Sequence, residues 1–203
     1  MNARLKEGLR TTGFMFGLTL VVITCVSALQ LATTERVERN AALFLQRAIM
    51  EVSGVPPSGD SAAVADWFKK SVDAEPAAAP TRFQVRDPRT GKVLAQVFTC
   101  QGRGLWGLIT AVVGMDPERR SFRQLRILDQ NETPGLGARI CEAWFMRQME
   151  GKTGPFVLVP EGTRSSEPTK IDAITGATIT SAAIRDMLNG LLRATEQNRE
   201  GAK

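Results

Sequence analysis

From Gly13 to Ala32 the chain runs for twenty residues without a charge, rich in Leu, Val, Ile and Phe. As a helix, a run of that length crosses a hydrocarbon core of about 30 Å, so it predicts a membrane span and leaves the remaining residues to build a separate fold. Arg4, Lys6 and Arg10 outweigh Glu7 before the run, whereas Glu35 and Glu38 balance Arg36 and Arg39 after it. The positive-inside rule then predicts a cytoplasmic N-terminus and export of everything from about Thr33 onward. Val26-Ser27-Ala28 resembles a signal-peptide cleavage site, but the apolar run continues past it, which favours an uncleaved anchor. Cys25 follows the bulky Thr24 and reads as a residue of the span, not as a lipidation site.

Composition narrows the chemistry. There is no histidine, which removes the usual general base, the Ser-His-Asp triad and the commonest zinc and haem ligand. Cys25, Cys100 and Cys141 cannot supply four thiolates to an iron–sulfur cluster and lack metal-knuckle spacing, so no metal site is expected. Cys100 and Cys141 fall in the exported part, where both a disulfide and free thiols are chemically allowed. The net charge of +5 is modest and does not argue for nucleic acid. Arg119, Arg120, Arg123 and Arg126 form a local basic cluster, readable as a contact for lipid headgroups or an acidic partner, or as a solvated face.

Beyond the span, Val37, Ala41, Leu45, Ala48 and Val52 lie on one helical stripe that Gly54 and Pro56-Pro57 end, which predicts a stalk. A second helix is expected over Ser61–Ala74, with Asp60 as its cap and Val64, Trp67, Phe68 and Val72 inward, followed by an Ala/Pro linker from Glu75 to Pro80. Phe83 and Val85, the turn Asp87-Pro88-Arg89-Thr90-Gly91 and the run Val93–Thr99 predict a hairpin. Further strands are expected at Leu105–Val113, Phe122–Leu128 and Phe156–Val159, with a helix at Arg139–Glu150. This mixture predicts an α+β domain on a mostly antiparallel sheet flanked by helices. The expected boundaries are a tail at 1–12, the span at 13–32, stalk and linker at 33–81, and one folded domain at 82–203.

Near the C-terminus, Ile171 to Ala183 sets Thr175, Thr178, Thr180 and Ser181 around the small pair Gly176-Ala177. Ile184, Met187, Leu188 and Leu191 then follow helical spacing, so a helix is expected from about Thr180 to Arg193. A helix mouth presents unpaired N–H groups and the positive end of the dipole, which favour a phosphate. Gly176 and Ala177 let such a group approach the backbone. The hydroxyls serve either as helix caps or as contacts to that group, and one of them is a candidate for a covalent bond to it.

Asp172-Ala173-Ile174-Thr175-Gly176-Ala177-Thr178 matches the D-x-x-[S/T]-G-A-T pattern of the FMN-binding domain family. Gly102-Arg103-Gly104-Leu105-Trp106 resembles that family's G-x-G-L-W segment, and Glu132-Thr133-Pro134-Gly135-Leu136-Gly137 its E-T-P-G-L-G loop. The chain therefore resembles the G-type subunit of Rnf electron-transport complexes and the C-type subunit of sodium-translocating NADH:quinone oxidoreductases. Its length is nearer the former, its G-L-W segment nearer the latter.

The resemblance implies an exported FMN-binding domain at 82–203 behind a single span. It implies FMN joined by a flavin transferase to the hydroxyl of Thr178 as a phosphothreonyl ester. Asp172 is then the acidic residue of the attachment motif, and Thr175, Gly176, Ala177 and Thr180 meet the phosphate or ribityl end. Glu132, Thr133 and Leu136 approach the ring. Trp106 lies against the flavin or in the core, and Lys170 pairs with the phosphate or stays solvated. The implied function is electron relay through covalent FMN among other membrane subunits of an ion-translocating complex, not catalysis by this chain alone. A flavin-free assembly module, with Thr178 an ordinary cap, is the alternative from another class.

Overall fold

The computed structural model describes residues 3–57, 59–75, 80–118 and 120–200. Arg119 of the basic cluster and residues 76–79 of the expected linker lie outside the described residues. The chain divides into two compact units, Met1–Ala42 and Leu43–Lys203.

The first unit is helical, formed by the greater part of α1 (Ala3–Val52). Its apolar side chains face outward, Phe14, Leu20, Ile23 and Leu29 among them, and the helix is long and apolar enough to cross a membrane. Hydroxyls along it are satisfied within the helix: Thr24 donates to the Leu20 carbonyl at 2.7 Å and Thr34 to that of Gln30 at 2.7 Å. In hydrocarbon, where no water completes a hydrogen bond, this internal pairing removes the cost of a bare hydroxyl.

The second unit contains the last turns of α1, helix α2 (Ser61–Ser71) and a five-stranded antiparallel sheet in the order β1-β2-β3-β4-β5. These strands are Val72–Glu75, Arg82–Arg86, Val93–Arg103, Leu108–Met115 and Phe122–Asp129. A 3₁₀ turn (Gly137–Cys141), helix α3 (Ala143–Arg147), the parallel pair β6 (Val157–Val159) and β7 (Lys170–Asp172), and helix α4 (Thr178–Glu200) complete it.

Strand side chains alternate between faces, and here both faces are covered. Ala95, Val97 and Val112 pack on one side with Ala48, Ile49 and Val52 of α1, while Trp67 and Phe68 of α2 lie against the same cluster. Ile109, Ala111, Val113 and Met115 pack on the other side with Ile140, Phe145, Ile184 and Leu188. This second cluster seats α4 by the apolar stripe visible in its sequence.

Several expected elements are reshaped. Asp60 caps α2 by accepting from the Ala62 N–H at 3.2 Å, but the helix stops at Ser71 because β-branched Val72 opens β1 and pairs with Val85. The expected strand at Leu105 starts only at Leu108, since Gly104 donates to the Gly107 carbonyl at 2.8 Å and makes 104–107 a hairpin turn. The helix expected at Arg139–Glu150 is broken at Glu142, whose backbone is extended (ψ 143°). That break turns Phe145 and Met149 fully into the core and leaves Trp144 outside it. Helix α4 begins two residues before the expected start and runs on to Glu200.

Cys25, Cys100 and Cys141 are free. Burial pushes the Cys100 thiol up to about 12, which makes it an inert core residue. The described arginines of the basic cluster are each engaged: Arg120 with Glu118 at 3.2 Å, Arg126 with Glu51 at 3.5 Å, and Arg123 with the Leu94 carbonyl at 2.6 Å.

Candidate functional site

Strand β7 leads into the mouth of α4 through a turn whose backbone is pinned nearly residue by residue. Ala173 donates to the Val159 carbonyl at 2.8 Å, Ile174 to Ser181 Oγ at 2.9 Å, Thr175 to Glu161 Oε2 at 2.7 Å, and Ala177 to the Ile174 carbonyl at 3.0 Å. Gly176 takes φ +78°, a left-handed conformation that a side chain resists, and a Cβ there would stand 3.0 Å from Leu136 Cδ2. The Ala177 carbonyl receives the Ser181 N–H at 3.0 Å and opens the helix. Thr178 is its first residue and is exposed, so its hydroxyl stands at the positive end of α4.

Thr178 lines a cleft of about 280 Å³ with Gly176, Ala177 and Thr180 on one wall and Glu132, Thr133 and Leu136 on the other. Glu132 holds this arrangement together. Its buried carboxylate accepts from the Trp106 N–H at 3.0 Å and from the Thr180 hydroxyl. One side chain thereby ties the 104–107 turn, the 130–137 loop and α4. Gly137 belongs to the same junction, because a Cβ there would meet Glu132 Oε2 and Thr180 Oγ1 at 2.7 Å.

Trp106 is not a core residue. It is 68% exposed, and its indole N–H donates to Thr133 Oγ1 at 3.0 Å. With Leu105, Leu136 and Ile179, also exposed, it supplies apolar surface at the rim of the cleft.

The remaining expected site residues lie elsewhere. Thr175 is exposed beside the cleft, held by its backbone. Lys170 pairs with Glu167 at 2.6 Å and does not line the cleft. Asp172 is buried at the end of β7, where Oδ2 accepts from the Gly162 and Arg164 N–H groups at 2.9 and 3.1 Å.

Sequence reading missed the supports of the turn. Glu161 is clamped by Arg139, whose two terminal nitrogens reach its two oxygens at 3.2 and 2.7 Å. That guanidinium, with the Thr175 N–H, holds the Glu161 carboxyl down at about 2. Ser181 Oγ supports the same turn from within α4. Only Ser181 carried a signal, a hydroxyl in the first turn of a helix; Pro160-Glu161-Gly162 reads as an ordinary turn.

Chemically, the site offers an exposed hydroxyl at a helix mouth. The carboxylate in its cleft is already committed to Thr180 and Trp106. Among the described residues no group of His, Cys, Asp and Glu side chains gathers to hold a metal ion. An exposed hydroxyl at the positive end of a helix suits an acceptor of a phosphate group.

The family model described as FMN-binding domain matches residues 104–193. The C-type subunit of the Na(+)-translocating NADH-quinone reductase of Vibrio alginolyticus is 25% identical over 222 residues, covering 87% of each chain. With its Yersinia pestis counterpart the identity is 28% over 106 residues, which span 49% of this chain and 40% of that protein. The G-type subunit of the proton-translocating ferredoxin:NAD(+) oxidoreductase complex of Clostridium ljungdahlii is 34% identical over 106 residues, 52% of this chain and 54% of that one. The fold is shared with the crystal structure of Shewanella oneidensis NqrC, at a TM-score of 0.63 and 20% identity, covering 71% of this chain and 88% of that one.

Proposed function

We propose that the chain, whose residues 104–193 match the family model described as FMN-binding domain, is a membrane-anchored flavoprotein subunit of an ion-translocating electron-transport complex, of the Rnf G type. In this reading it carries FMN as a phosphoester on Thr178. The single observation that carries the attachment is the exposed Thr178 hydroxyl at the mouth of α4, flanked by the side-chain-poor Gly176 and Ala177.

The residues fit the group. The cradle beside Gly176 is one that a Cβ would fill, and the first N–H groups of α4 suit a phosphate. The exposed rim of Leu105, Trp106, Leu136 and Ile179 suits a planar ring at the edge of the cleft. When bound, FMN supplies one-electron redox chemistry, and the chain's part is to hold and orient it. Glu132 keeps the 104–107 turn, the 130–137 loop and α4 in register. Attachment joins the Thr178 oxygen to the flavin phosphorus, breaks that phosphorus from the leaving group of an activated flavin donor, and releases the threonine proton. The carboxylate that lines the cleft beside Thr178, Glu132, is engaged by Trp106 and Thr180, which supports a flavin transferase as the partner in maturation.

Other membrane subunits are the partners in electron transfer. The basic residues before the apolar run support a cytoplasmic N-terminus and a domain on the outer side. Tethering there raises the effective concentration of the domain at those subunits. The second reading, the C-type subunit of a sodium-translocating NADH:quinone oxidoreductase, is favoured by the Vibrio alginolyticus alignment along 87% of both chains. The subunits that co-purify from native membranes decide between the two.

The test is intact mass after production with a flavin transferase. The native chain is expected to gain one FMN and to stay fluorescent after denaturation, whereas Thr178→Ala gains nothing. A native chain recovered without an adduct under those conditions rejects the attachment and leaves the flavin-free assembly module standing.

A further inference from the structure

Asp172 is conspicuous in sequence as the acidic residue of the attachment motif, yet its carboxylate is buried and bonded to the loop Pro160–Arg164. That loop is difficult to form. Gly162 sits at φ +87° and Arg164 at φ +47°, the latter a left-handed conformation that a non-glycine residue seldom adopts without support. The support is visible: both residues donate their N–H groups to Asp172 Oδ2, and Thr163 closes the turn by donating to the Pro160 carbonyl from its N–H at 3.2 Å and its hydroxyl at 2.6 Å. The loop delivers Glu161. Glu161 in turn receives the Thr175 N–H at 2.7 Å and is anchored from behind by both ends of the Arg139 guanidinium.

We propose that Asp172 governs the attachment turn as a positioning residue, shaping the 160–164 loop so that Glu161, braced by Arg139, fixes Thr175 and presents Thr178. The proposal rests on the reading of Thr178 as the attachment point for its consequence, though not for its geometry. Asp172 then needs no contact with flavin, metal or transferase. Losing either carboxylate frees the same turn. Gln at 161 keeps an oxygen able to accept from Thr175, so it should restore part of what Ala loses.

The experiment compares the native full chain with Asp172→Ala, Glu161→Ala, Glu161→Gln and the double variant Asp172→Ala/Glu161→Ala. Two readouts are taken: amide exchange at Thr175, and mass gained after production with a flavin transferase. Unfolding midpoints identify any variant that has lost the whole fold. Thr175 exchange is expected to rise about tenfold or more in Asp172→Ala and in Glu161→Ala, as for the loss of a hydrogen bond to a charged acceptor. The double variant should go no further than either single one, and Glu161→Gln should fall between native and Ala. Flavin loading should follow the same order.

Unchanged Thr175 exchange in Asp172→Ala overturns the proposal, and full loading of Glu161→Ala beside failed loading of Asp172→Ala overturns it and gives Asp172 a direct part in the transfer. A native chain that gains no mass defeats the reading of Thr178 instead. The exchange comparison still decides the positioning claim.

Discussion

Glu161 illustrates how a residue with no distinguishing sequence context acquires a role from its neighbours. Its carboxyl is lowered from 4.5 to about 2, first by hydrogen bonding to Arg139, then by the Thr175 N–H. A folded-state value below the unfolded one contributes stability that is present above pH 4.5 and is lost as pH falls from there toward about 2. The native chain should therefore hold a urea-midpoint advantage over Glu161→Gln near neutral pH, and that advantage should shrink through this acidic window. A constant difference down to about pH 2 would mean that the ionised pair contributes nothing. The place of Thr178 at the mouth of the last helix, in contrast, was legible from the apolar helical stripe that follows it, while its part as attachment point came only from the motif resemblance. Arg139 and Glu161, 22 residues apart, were not, since only folding brings a charge pair of that separation together.

At the level of elements, α4 has both a legible body and an illegible start. Its apolar residues at helical spacing announced the face it buries. The start depends on Ser181, whose Oγ accepts from the Ile174 N–H and donates to the Ala177 carbonyl at 3.0 Å, in a buried position. Ser181→Ala leaves that buried N–H without its partner and should cost about 1–3 kcal/mol. Chemical unfolding measures it, and a change within error would show that solvent or another group replaces the hydroxyl. The hairpin of β2 and β3 was readable from alternation and a turn sequence. The break at Glu142 was not, because periodicity allowed Trp144 and Phe145 to share a helix face, and only packing decides which ring enters the core. The same holds at 104–107, where apolar Leu105 and Trp106 suggested strand while Gly104 and Gly107 close a turn.

Across the whole molecule, the division after Ala42 separates an apolar helix from a unit with its own core. A chain beginning at Leu43 keeps Ala48, Ile49 and Val52, which are buried against the sheet. It should fold and remain in solution, whereas the full chain should stay with membranes through an alkaline wash. Starting instead at Ser53 removes those side chains, of which Ile49 and Val52 are fully buried, at about 2 kcal/mol or more for each large one. Thermal unfolding of the two truncations should differ accordingly. Equal midpoints would show that the end of α1 adds nothing to the folded unit.

By itself the sequence determined what depends on neighbours along the chain: an apolar run of bilayer length, alternating strands, one amphipathic last helix, and a hydroxyl-rich motif at its mouth. The tertiary structure decided what depends on distant partners. It exposed Trp106, buried Asp172 and Glu132, drew Lys170 to Glu167 and set Glu161 under Thr175. Local patterns reflect backbone geometry and burial, which repeat every two to four residues. The pairing of buried carboxylates with particular N–H groups follows no period, because it is settled by where loops of unrelated sequence meet.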